Sequence, residues 1–144
     1  MDEPLKRPVV LISSAMTFML FFAAINIGAA SAYRQRMLNR LRELDAAVEE
    51  LELSPIGSER MVVVELDKDV TVCGPTVAAQ RFGINVESEQ NIWVVWKDGD
   101  ATRLSPRGYD VSILFSTAVI GPGTSAFGLT RLGGNTVDIV VQAI

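Results

Sequence analysis

From Pro8 to Tyr33 the chain reads PVVLISSAMTFMLFFAAINIGAASAY, 26 consecutive residues without a charge. In hydrocarbon every backbone polar group must find its partner within its own segment, so a run of this kind is read as an α-helix, about 39 Å long at the usual helical rise. That length exceeds the ~30 Å hydrocarbon core of a bilayer, and the expectation for residues 8–33 is a transmembrane helix. Two other readings stay open: a helix buried in a protein core, and a cleaved secretory signal, for which Ala-Ala-Ser-Ala before Tyr33 is a loose cleavage match. The polar tail of residues 1–7 carries Pro4, and Pro8 opens the run; proline suits a first helical turn. Inside the run Asn26 is the only strongly polar side chain, and Gly28 adds a small surface. Small residues let helices approach closely and a buried Asn can hydrogen-bond across them, so Asn26 and Gly28 are candidate helix–helix assembly positions.

After Tyr33 the composition switches to RQRMLNRLRELDAAVEELEL, in which Met37, Leu41, Leu44, Val48 and Leu51 recur at alternating four- and three-residue spacing. That is the seam of an amphipathic helix or a short coiled coil over residues 34–53, and its five apolar residues join the candidate assembly set. The stripe is also short enough to pack on its own chain's domain. Neither Pro nor Gly interrupts Tyr33 to Leu53, and Ser54, Pro55 and Gly57 stop the pattern. The expectation is one helix from about Val9 to Leu53, on the order of 65–70 Å.

Beyond Gly57 the period becomes that of strands. In Met61–Cys73, Val62, Val64, Leu66, Val70 and Val72 share one parity, which fits one long strand or a hairpin turning at Asp67-Lys68. A short helix over Thr76–Phe82 is closed by Gly83, and Asn91–Trp96 is a strand. Asp98-Gly99 marks a hairpin returning through Ala101–Leu104. Tyr109–Phe115, Thr124–Leu132 and Thr136–Ala143 follow, the last two joined through Gly133-Gly134-Asn135. Trp93 and Trp96 fall on opposite faces of their strand, so at most one belongs to the core. The fold class expected is α+β: a long N-terminal transmembrane and amphipathic helix, then a small antiparallel, sandwich-like β domain over residues 58–144.

Composition narrows the chemistry. The chain has no histidine, which removes the commonest general base and metal ligand, and Cys73 is its only cysteine, so no intrachain disulfide or thiolate cluster can form. A lone cysteine without a histidine to activate it reads as a small buried apolar residue. Asp67/Asp69 and Asp98/Asp100 have the Asp-x-Asp spacing of calcium ligands but lack the distal glutamate, and they read as turn formers. The glycines of Gly121–Gly128 fit neither a phosphate loop nor a nucleophile elbow. No catalytic, cofactor or metal site is expected. With a net charge of −4, nucleic acid is not an expected partner.

The order of parts, an apolar helix prolonged into an amphipathic one and then a compact β domain, resembles the type IV pilin superfamily. The final segment is similar to minor pilins and pseudopilins of the GspH/FimT type, on Phe115, Gly121-Pro122-Gly123, TSAFGLTRL and TVDIVVQA. The family's cleavage-site glycine and the glutamate inside its apolar run have no counterpart: Arg7 precedes Pro8, and no acid occurs between Pro8 and Glu43. The resemblance implies a structural subunit of a filament or pseudopilus of a secretion system, self-associating through its N-terminal helix. It also implies an inner-membrane protein crossing once with its β domain outside the cytoplasm, or an extracellular filament. Arg34, Arg36, Arg40 and Arg42 after the run pull the other way, toward a cytoplasmic β domain. Partners expected on this reading are the lipid bilayer and further copies of the chain. The alternative is a single-pass accessory or scaffold subunit of a larger membrane complex of divisome, secretion or respiratory type.

Overall fold

The computed structural model describes residues 31–143. The tail of residues 1–7 and most of the uncharged run, including Asn26 and Gly28, lie outside the described residues. The chain divides into two units between Arg36 and Met37. In the first, the described residues 31–36 are helical; everything below concerns the second.

In it helix α1, described over residues 37–40, ends at a turn on Leu41, and α2 follows as Arg42–Glu52. At the junction the Leu41 N–H is shared between the carbonyls of Met37 at 3.2 Å and Leu38 at 3.1 Å. Met37, Leu41, Leu44, Val48 and Leu51 are each 0% exposed, and Ala47 joins them, while Glu43, Glu49 and Glu50 face solvent. This is the pattern of a helix laid on a domain surface. Its end is fixed as the sequence signals: the Ser54 N–H donates to the Leu51 carbonyl at 3.2 Å, the Ser54 hydroxyl to the Glu50 carbonyl at 2.8 Å, and Pro55 and Gly57 follow.

Two expectations are corrected here. Among the described residues no helix is long and apolar enough to cross a membrane. The 11 residues of α2 span only about 17 Å, against the ~30 Å of a bilayer core. The helical stretch is divided at Leu41 where one rod from about Val9 to Leu53 was expected. The fold class with a long transmembrane and amphipathic helix, and the single-pass inner-membrane location derived from it, are therefore not supported. The physical reason lies in the amphipathic half: its apolar stripe is consumed by the β structure beneath it and its other face is charged.

Eight strands form two sheets. They are β1 (Glu59–Leu66), β2 (Thr71–Cys73), β3 (Trp93–Val95), β4 (Ala101–Arg103), β5 (Ser112–Leu114), β6 (Val119–Ile120), β7 (Gly123–Leu132) and β8 (Thr136–Ala143), with α3 (Pro75–Phe82) between β2 and β3. The first sheet has the order β1-β7-β8-β5 and the second β4-β3-β2-β6. All pairings are antiparallel except β5 with β8, which is parallel, Ile113 lying opposite Val137. The expected all-antiparallel domain is corrected on that pair. Met61–Cys73 is neither one strand nor a hairpin: β1 and β2 belong to different sheets, and the chain turns between them with Asp69 at a φ of 65°.

In the first sheet Val62, Val64, Leu66, Phe127, Leu129, Val137 and Ile139 are buried on one face, against which α2 lies. Phe127 meets Phe115 edge to face, with ring centres 6.2 Å apart. The second sheet sets Cys73 and Val95 against Ala78 of α3, and Ile84, Val86 and Trp93 pack on them. Gly83, left-handed at a φ of 65°, closes α3. Strand β3 separates the two indoles: Trp96, just after it, is buried and donates to the Thr102 hydroxyl at 2.9 Å, while Trp93 is half-buried on the α3 side. The β6–β7 passage meets the β1–β2 passage at Gly121, whose N–H donates to the Val70 carbonyl at 2.8 Å. A Cβ there would sit 2.0 Å from the Asp67 carbonyl oxygen, so the position has no room for any side chain.

Candidate functional site

Three polar links hold α2 in place, and a fourth, from Arg40, holds the residues just before it. The Tyr109 hydroxyl donates to Asp45 Oδ1 at 2.6 Å, and the Asp110 N–H to Glu52 Oε1 at 3.0 Å. Arg40 pairs with Asp67 at 2.7 Å, and Arg60 with Glu50. The hydrogen bond from Arg60 holds the Glu50 carboxyl below its ordinary range, whereas burial pushes that of Glu52 up. Burial, reinforced by Asp45, also raises the Tyr109 phenol, which keeps its proton to bridge loop and helix. With its stripe covered and its flanks tied, α2 turns a mostly charged side to solvent, with Ala46 and the capping residue Leu53 the apolar exceptions. Met37, Leu41, Leu44, Val48 and Leu51, expected at an assembly seam, are thus gathered into the core of their own chain; Asn26 and Gly28 lie outside the described residues.

Large apolar side chains are exposed at several places, Leu53, Ile56 and Ile120 among them, and one group lies on the far side of the first sheet. Met61 is 72%, Val63 50%, Val140 56% and Leu114 51% exposed. Register explains the cluster: Met61 pairs with Gly128, which pairs with Val140, and Val63 pairs with Ala126 in the next row. Because Gly128 lacks a side chain, the row has a shallow depression between Met61 and Val140, edged by Glu59 and Thr130. Strand alternation in MVVVEL would have marked Met61 and Val63 as outward residues, but their junction with Val140 depends on β7 lying between β1 and β8.

The other sequence candidates fall in turns. Asp98 Oδ1 accepts the Asp100 N–H at 3.0 Å and Asp100 Oδ1 the Ala101 N–H at 3.1 Å, which shapes the β3–β4 hairpin. Asp67 faces Arg40, and Asp69 lies 3.9 Å from the Lys97 ammonium. Among the described residues no group of three or more acids and thiols is placed to hold a metal ion. Cys73 is 0% exposed, and burial pushes its thiol up to about 11, so it is an inert core residue at neutral pH. Comparison with family models, curated proteins and solved structures finds no match for the chain.

Proposed function

We propose that the chain is a non-catalytic assembly subunit of pilin-like kind, which associates with further copies of itself. The observation that carries this reading is the open apolar patch of Met61, Val63 and Val140 on a sheet whose opposite face is already filled. Contiguous exposed apolar surface gains free energy by being covered, and on a folded protein it marks interaction sites. The uncharged run of Pro8–Tyr33 supports the same reading, because every copy brings a second long apolar segment of its own. The closing segment, with Phe115, Gly121-Pro122-Gly123 and the two last strands, resembles the minor pilins and supports the class.

The test is the mass of the full-length chain by light scattering, with and without the surface pair Met61→Glu and Val140→Lys. The wild type is expected to form oligomers whose mass rises with concentration, and the double variant to shift toward monomer with an unchanged circular dichroism spectrum. A wild type that stays monomeric throughout, or a double variant that assembles as before, refutes the reading.

A further inference from the structure

A pocket of about 220 Å³ lies where β3 and β4 meet the segment before β3 and the loop after β4. Trp93 and Arg103 are cross-strand partners, so they share one face of the second sheet, and Arg107 closes the pocket from the loop side. The Trp93 indole N–H is buried and has no hydrogen-bond acceptor. Neither the Arg103 nor the Arg107 guanidinium has an ion pair or hydrogen bond among the described residues. A buried donor left unpaired is costly and uncommon in folded proteins. Here one sits beside two uncommitted guanidinium groups, which bind carboxylates in their preferred forked geometry.

The frame around these donors is held firmly. The Asn91 amide donates to the Ser105 carbonyl at 2.6 Å and accepts the Ser105 N–H at 3.1 Å. The Tyr109 N–H donates to the Gln90 carbonyl at 2.8 Å, and the Leu104 N–H to the Ile92 carbonyl at 2.8 Å. Glu87 at the pocket wall is the one carboxylate there, so it offers an acceptor to a ligand's own N–H or O–H. The volume is below the ~300–1,000 Å³ of pockets that hold drug-sized molecules, so it suits one residue-sized unit.

We propose that this pocket binds a carboxylate carried next to a hydrogen-bond donor, either the terminal acylamino acid of a chain or a sugar acid. Arg103 and Arg107 pair with the carboxylate, the Trp93 N–H donates to it or to a neighbouring oxygen, and Glu87 accepts the ligand's donor. The site goes beyond the assembly role and does not depend on it, because the open row of the first sheet contributes no residue to it.

The experiment follows the two indole N–H resonances of ¹⁵N-labelled full-length chain, with Trp93→Phe to assign them, while N-acetyl-L-alanine, glucuronate or the neutral N-acetyl-L-alaninamide is added. The proposal expects a saturable shift of the Trp93 resonance with at least one acid, while the Trp96 resonance holds still and reports an intact fold. The acid that binds more tightly identifies the source of the carboxylate. Replacing both exposed arginines, Arg103→Gln with Arg107→Gln, is expected to weaken binding about tenfold or more. No saturable shift with either acid, an equal shift with the amide, or unchanged binding by the double variant overturns it.

Discussion

Leu44→Ala separates a stripe packed within one molecule from a stripe shared between molecules. Leu44 is 0% exposed on the face of α2 that meets the first sheet. Removing its branched end loses roughly 2 kcal/mol of transfer free energy, at about 0.8 kcal/mol for each buried carbon group. The space left behind adds to this, because β1 and β7 are held in register over eight residue pairs and cannot follow the shortened side chain inward. The expected loss is about 3 kcal/mol, within the measured span for buried leucines. With a urea dependence of about 1.5 kcal/mol per molar, the unfolding midpoint should fall by about 2 M. The assay is urea unfolding of the full-length chain, followed by tryptophan fluorescence at several protein concentrations. The drop should be the same at each, since no second molecule takes part in the contact. A loss below about 1 kcal/mol, or one that shrinks as concentration rises, would refute the packing described for α2.

Two further outcomes follow from the same structure. Tyr109 and Cys73 both hold their protons more tightly when folded than their ordinary values of 10.0 and 9.0. Their contribution to stability is therefore whole below pH 9.0, and that of Cys73 is lost as pH rises through about 11. The urea midpoint should decline from pH 9.0 upward, with Cys73→Ala flattening the first part of the fall, and a midpoint level to pH 11 contradicts the burial. Gly121→Ala places a methyl group 2.0 Å from the Asp67 carbonyl. It should cost at least about 3 kcal/mol and lower the thermal midpoint by more than about 10 °C. A midpoint within a few degrees of wild type would show that the two passages are not in contact.

Legibility in the sequence tracked how local each interaction is. The stripe of Met37–Leu51, its stop at Ser54-Pro55-Gly57 and the closure of α3 at Gly83 follow from neighbours a few residues apart, and the structure has them where the pattern puts them. The single parity of Val62 through Val72 survives in the structure, yet it hides a change of sheet. Whether the chain at Asp67–Val70 runs straight or crosses over is decided by β7 and β3, which arrive dozens of residues later. The parallel pairing of β5 with β8 is likewise invisible locally. The pocket depends on one residue of register. Taking Asp98-Gly99 as the centre of a two-residue turn sets Trp93 across from Leu104, but the Trp96 N–H bonds the Asp100 carbonyl and Gly99 has a φ of 86°. The loop therefore holds three residues, and Arg103 becomes the partner of Trp93. The uncharged run of Pro8–Tyr33 is the strongest local signal, but it carries no information about α2, whose apolar stripe is taken up by the first sheet of its own chain.

Gly121 sets how closely the two sheets are joined at one corner. Two of the chain's passages from one sheet to the other touch at this corner, backbone against backbone, with no side chain between them to bend or rotate. The spacing of the two sheets at this corner is therefore set by main-chain atoms alone, and a larger residue there has to part the passages before it can be seated.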